Sequence, residues 1–271
     1  MAEITANDVA TLRAKTGAGL IDCKRALTET DGDFDSAIDL LRKKGVATAA
    51  KKAGREADEG VIAQCVAEDG LSGVLVEVNC ETDFVAKNED FQAFAAKMAA
   101  LLLDSPDADI EEMRAGQVAK TGENIKIPRF EHLTLEEAGI VESYVHTGAK
   151  VAVLLSLSCD SDEVASRQET KLIAKDLCMH VAATNPMCVS RGEICSDLVV
   201  KETEIAKAQA EGKPPQAIER IVTGKLDKFY ATNCLLEQSF VKNPDLTISG
   251  LLEACEGNLK VNRFARFQIG E

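Results

Sequence analysis

Three histidines, His132, His146 and His180, and nine cysteines are the side chains from which this chain could build acid–base, nucleophilic or metal chemistry. Their spacing forms none of the familiar arrangements. No His-Glu-x-x-His pair puts two imidazoles on one helix face, and no Gly-x-Ser-x-Gly elbow presents a serine. The Gly-x-x-x-x-Gly-Lys-Ser/Thr phosphate loop is absent, and Gly17-Ala18-Gly19 lacks the third glycine and preceding strand of a dinucleotide fingerprint. Cys23, Cys65, Cys80, Cys159, Cys178, Cys188, Cys195, Cys234 and Cys255 include no Cys-x-x-Cys pair and are odd in number. They read as small, mostly buried apolar residues in a reducing compartment, not as zinc ligands or a disulfide framework. Cys178 lies near His180, and a thiol-dependent enzyme would need that cysteine at low pKa. His146, in Tyr144-Val145-His146-Thr147-Gly148, stands at a strand end or hairpin tip, where it reaches solvent, a partner or its own loop.

The chemistry that remains is that of contact. In Thr82-Asp83-Phe84-Val85-Ala86-Lys87-Asn88 a phenylalanine stands where a strand gives way to a helix. The segment Val74–Ala86 has a second copy at Val153–Ala165, with Cys80 matching Cys159 at a constant offset of 79. One supersecondary unit is used twice. A Ser/Thr followed by Asp starts a helix well, because the hydroxyl accepts a free backbone N–H and the carboxylate suits the positive end of the dipole. Thr82 and Asp83 match Ser161 and Asp162, and Val85 and Ala86 match Val164 and Ala165, so the fold can explain all four, with Asp83 open to serving both fold and partner. Phe84 matches Glu163. A position that accepts Glu in one copy faces solvent, which makes Phe84 a partner contact unless it packs locally on its own helix.

The elements that must position these residues alternate in type. Thr5 caps a first helix through Leu12, Gly17 and Gly19 break it, Leu20 to Leu27 form a second, and Asp33 starts a third that ends before Gly45. Val46 to Ala57 reads as a helix-prone connecting arm. Strands are expected at 61–66 and 74–78 around a hairpin turn at 68–70, then one helix from Thr82 to about Leu103, short helical pieces to 122 and an extended run at 125–130. The second copy repeats the scheme with strands at 140–145 and 151–157 and a helix from Asp162 to Ala183. An inserted helical hairpin, Asp197–Glu211 and Gln216–Phe229, turns at Gly212-Lys213-Pro214-Pro215 and should project. A short helix at 249–255 and a final strand at 263–269 complete the second sheet. The class is α+β.

At 271 residues with a formal charge of −14 and pI near 4.8, the chain has length for two or three cores but lacks the clustered cations that bind nucleic acid. Val151–Leu157 is too short to span a bilayer, so no membrane partner is expected. Met1-Ala2-Glu3-Ile4-Thr5 shows no signal-peptide pattern, and a cytoplasmic protein without cofactor or metal is expected.

The motif Thr82–Asn88 after a Val/Glu/Val/Asn/Cys strand, the run Arg13–Lys24 and Gly212-Lys213-Pro214 before the second hairpin helix together resemble the bacterial translation elongation factor Ts family, in order and over essentially the whole chain. The resemblance implies a ubiquitin-associated-like three-helix domain (1–45), a helical linker (46–59), core subdomains at 60–139 and at 140–186 with 234–271, and an inserted antiparallel coiled-coil hairpin (187–233). It implies guanine-nucleotide exchange on the GTPase elongation factor Tu, with Thr82, Asp83, Phe84 and Val85 displacing magnesium. Leu12, Leu20 and Ile21 would grip one GTPase domain, and the loop with Tyr144, His146 and Gly148 another. The further helical module with which many family members continue has no counterpart before Glu271. The residues themselves leave open a non-catalytic adaptor, and a homodimer through the hairpin.

Overall fold

The computed structural model describes residues 4–271, so the signal-peptide reading of Met1–Glu3 lies outside the described residues. The chain opens with three helices, α1 (Ala6–Thr16), α2 (Leu20–Glu29) and α3 (Phe34–Lys52). Thr5 and Asp8 form a reciprocal capping box on α1, and Gly17 ends it at φ 69°, a left-handed turn that glycine makes without a Cβ penalty. Val9, Leu12, Cys23, Ala26, Leu27 and Ala37 form the thin core between them. Contrary to the expectation, α3 does not stop before Gly45. It runs on to Lys52 because Gly45 packs closely on a later helix, where its missing Cβ would sit 3.5 Å from the Ala115 carbonyl oxygen.

The first α+β unit pairs β1 (Glu59–Val66), β2 (Ser72–Cys80) and β3 (Phe130–Thr134) in an antiparallel sheet of that order. Between β2 and β3 come α4 (Asp83–Ala86), α5 (Glu89–Asp104) and α6 (Glu111–Thr121). The second unit pairs β4 (Gly139–Val145), β5 (Val151–Ser158) and the chain's last strand, with α7 (Asp162–Ser166) and α8 (Gln168–Thr184) after β5. After α8 the chain inserts α9 (Ser196–Gln209) and α10 (Pro215–Asn233), then β6 (Ser239–Phe240), β7 (Asn243–Thr247), α11 (Ile248–Glu253) and β8 (Lys260–Gln268). The small β6–β7 pairing has no counterpart in the sequence reading.

Each long expected helix is two. Asn88, extended at ψ 131°, turns its side chain to accept the Asp90 N–H and separates α4 from α5; Arg167 takes the same extended backbone between α7 and α8. The break thus recurs at the repeat offset.

Strand periodicity explains the layering. Val74, Val76 and Val78 of β2 face Phe91, Ala95, Met98 and Leu102 of α5, while Val153, Leu155 and Leu157 of β5 face Ala174, Leu177 and Val181 of α8. The alternate residues, Leu75 with Ile62 and Leu133, meet Val141, Ala152, Leu154 and Phe267 of the other sheet. The two sheets therefore stack face to face with a helix layer outside each. This is why β2 and β5 read as nearly unbroken apolar runs.

The hairpin buries little. No residue of α10 is fully buried, and in α9 only Ala206 is. At its root Arg191 bonds Glu237, reaches Asp227 at 3.3 Å and stacks on Tyr230 at 4.3 Å.

Candidate functional site

Phe84 leaves the surface from a single helical turn. The Thr82 hydroxyl accepts the Val85 N–H at 3.3 Å, and Ser161 does the same for Val164 at 3.4 Å. In both copies the strand-end thiol donates to the cap carbonyl at 3.2 Å, Cys80 to Thr82 and Cys159 to Ser161. Ala86 is buried and Val85 half-buried against the helix-side core. Next to them Phe84 is 82% exposed, the most exposed large apolar side chain among the described residues. Glu163, its counterpart, is 85% exposed. Local packing of Phe84 is thereby excluded. Asp83 pairs with Lys87 at 2.6 Å, and this hydrogen bond holds its carboxyl below the usual range.

The loop of the second unit arrives at the same corner. Tyr144 donates its hydroxyl to, or accepts from, Nδ1 of exposed His146 at 2.9 Å, and Gly148 turns at φ 88° in open space. Behind them the Ala149 carbonyl accepts the Ile62 N–H at 2.7 Å, and Lys150 bonds Glu59 at 2.8 Å. The hairpin tip is thus fixed to the start of β1, whose far neighbour is α4. Lys150 also adds to the positive field that keeps Asp83 ionised.

Leu20 and Ile21, at the first turn of α2, are 51% and 75% exposed and fit a contact role. Leu12 does not. Its side chain is fully buried in the three-helix core, so it supports that face without touching anything outside it.

The thiol reading fails on geometry. His180 is buried; its Nδ1 accepts the Val241 N–H at 3.3 Å, which leaves Nε2 to donate to Gln238 at 2.9 Å. Neither nitrogen is free to take a proton from Cys178, whose thiol donates to the Glu142 carbonyl and is pushed well up by burial. Cys188 and Cys234 approach to 3.8 Å, but burial raises both, Cys234 to about 12. No group of three potential metal ligands occurs among the described residues.

The sequence reading missed what holds the corner. Glu123 Oε2 accepts the Glu81 and Thr82 N–H groups at 2.9 and 3.0 Å, and its Oε1 accepts the Thr82 hydroxyl at 2.6 Å. In return Glu81 accepts the Asn124 N–H at 2.6 Å and meets Arg55 at 3.3 Å. A carboxylate some forty residues away leaves no local signal.

Residues 81–271 match the family described as Elongation factor TS. Elongation factor Ts of Clostridium botulinum (strain Alaska E43 / Type E3) is 44% identical, over 99% of this chain and 93% of the relative. The chain belongs to the elongation factor Ts family. The proteins of that name from Trichlorobacter lovleyi and Symbiobacterium thermophilum are each 43% identical, over 99% and 100% of this chain and 93% of each relative. Membership gives the chain the family's role, nucleotide exchange in translation elongation, and implies partnership with elongation factor Tu. Among the described residues no helix is long and apolar enough to cross a membrane.

Proposed function

We propose that the chain releases GDP from elongation factor Tu by driving the Asp83-Phe84 corner against the GTPase beside its magnesium site. The observation that supports this is the 82% exposure of Phe84 on a turn whose cap and neighbours are all tied down. Burying one phenylalanine is worth roughly 1.5–3 kcal/mol, about one to two powers of ten in an equilibrium. That is too little to oust a tightly held nucleotide alone. Displacing a cation that bridges phosphate and protein multiplies the effect, and because coupling is reciprocal the factor must bind the nucleotide-poor GTPase more tightly.

Outlying grips therefore hold the wedge in place. Leu20 and Ile21, on what we read as a ubiquitin-associated-like module, supply one; Tyr144, His146 and Gly148 supply another. The α9–α10 insertion reads as an antiparallel coiled coil, and the whole acts in the cytoplasm without covalent chemistry of its own. Stopped-flow release of labelled GDP from elongation factor Tu tests the reading. Wild type should accelerate release, and Phe84→Ala should lower the rate by roughly one to two powers of ten with an unchanged circular-dichroism spectrum. An unaltered rate removes Phe84 from the mechanism.

A further inference from the structure

The backbone ladder beside β2 ends just short of the Phe84 corner. Asn79 and Lys126 exchange both backbone hydrogen bonds, at 2.8 and 3.0 Å. Beyond that pair two carboxylates continue the ladder in place of carbonyls: Glu81 takes the Asn124 N–H, and Glu123 takes the N–H groups of Glu81 and Thr82 together with the Thr82 hydroxyl. We propose that Glu123 is a positioning residue for nucleotide exchange, fixing through these three bonds the direction in which Phe84 leaves the protein.

The inference deepens the exchange reading and rests on it. A ring 82% exposed on a helix of four residues takes its course from the backbone of that turn, so the firmness with which residues 81 and 82 are held sets how well it is aimed. Glu123 supplies that hold. It is itself well placed: Gly122 ends α6 in the left-handed region at φ 75°, and the buried amide of Asn124 donates to the Arg55 carbonyl at 2.7 Å. The second copy shows that the corner as such does not require a carboxylate. There Asp160, the counterpart of Glu81, gives its N–H to the Gly257 carbonyl at 2.9 Å, and the residue presented is Glu163. The carboxylate clasp accompanies the copy that bears the phenylalanine.

All three partners of Glu123 are donors, so the site calls for a group that only accepts, and charge shortens and strengthens such bonds. Glu123→Gln keeps the size, removes the charge and turns an amide NH2 toward one donor.

Two measurements on the full chain decide the matter. In hydrogen–deuterium exchange of the free protein, Glu123→Gln should speed exchange at residues 81–85 and leave α5 unchanged. In GDP release from elongation factor Tu, it should slow the accelerated rate roughly tenfold beside Phe84, yet less than about twofold in a Phe84→Ala background, because its effect passes through that ring. Unchanged exchange at 81–85, no slowing, or equal slowing in both backgrounds would overturn the proposal. Should Glu123→Gln fail to fold by circular dichroism, Glu123→Asp, which keeps the charge but withdraws it by one methylene, carries the same cycle. A wild-type chain that leaves GDP release unaltered removes the exchange reading alone, while the hydrogen-exchange arm still decides whether Glu123 holds the corner.

Discussion

Phe84 and Glu163 occupy one structural position with opposite chemistry. Both stand in the first turn of a short helix capped by a hydroxyl, and both are more than four-fifths exposed. The fold is therefore indifferent to what grows there. Glu163→Phe should change stability by no more than about 0.5 kcal/mol, as expected of a surface site, and thermal unfolding checks it. It should add nothing to GDP release, since the corner formed by residues 160–163 has the acidic turn Glu68-Asp69-Gly70 beside it where the Phe84 corner has Tyr144 and His146, and it lacks the carboxylate clasp. A gain in exchange would show that an exposed phenylalanine on any such turn suffices. This contrast was readable from the repeat alone, because comparing copies separates what folds the turn from what the turn presents. Leu12 was not readable in the same way. In a small helical unit the core and the contact face draw on the same residue types, and only the packing of Val9, Cys23 and Leu27 around it shows which side it serves.

At the scale of elements, the repeat predicts paired failures. A Cβ on Gly60 would collide with the Val78 carbonyl and lie 2.8 Å from Asn79 Cα; one on Gly139 would collide with the Leu157 carbonyl and lie 2.9 Å from Ser158 Cα. Gly60→Ala and Gly139→Ala should each cost roughly 2–4 kcal/mol, measured by urea unfolding, because backbone on both strands must move. The helices end where the sequence alone was ambiguous. Asn88 caps inside an apolar-periodic run, and Gly45 sits mid-helix because α6 approaches it, a tertiary cause that propensity cannot register. Strand β3 escaped notice because only Leu133 of its five residues is buried. One element also carries a pH signature. Burial lowers the His180 pKa from its ordinary 6.5, more than the Gln238 bond raises it. The unfolded chain then takes up the proton first, so the stabilisation is whole above pH 6.5 and is lost as pH falls toward the depressed value. Melting temperature should decline as pH falls below about 6.5, ahead of carboxylate titration, and His180→Gln should flatten that slope.

For the molecule as a whole, the exchange reading requires that the Phe84 corner and the His146 loop, which belong to different sheets, keep a fixed separation. The apolar faces between the sheets resist separation but define direction poorly, since hydrophobic contact is non-directional. Direction comes from the polar bonds between the units, Ile62 to the Ala149 carbonyl, Val141 to the Gly70 carbonyl and Lys150 to Glu59 among them, and above all from the half-buried Arg129. It bonds the buried Glu77 of β2 at 2.7 Å, donates to the Gln268 carbonyl of β8 at 3.2 Å and lies 4.5 Å over the Phe267 ring, so one guanidinium ties both sheets. Ser156, the counterpart of Glu77, makes no such link; its hydroxyl bonds the neighbouring Arg263 carbonyl. Arg129→Ala leaves the Glu77 carboxylate buried with only the Asn79 amide for company, which should cost about 3 kcal/mol and broaden the calorimetric transition as the sheets begin to melt apart. Adding Glu77→Met removes the orphaned charge. If the charge is the cause, the double variant should recover most of the melting temperature yet still exchange GDP more slowly than wild type, because the apolar repair restores cohesion without restoring direction. A double variant as unstable as Arg129→Ala would place the cost in the lost stacking on Phe267, and one with full exchange activity would show that the apolar interface and the remaining bonds between the sheets orient the two contact sites without Arg129.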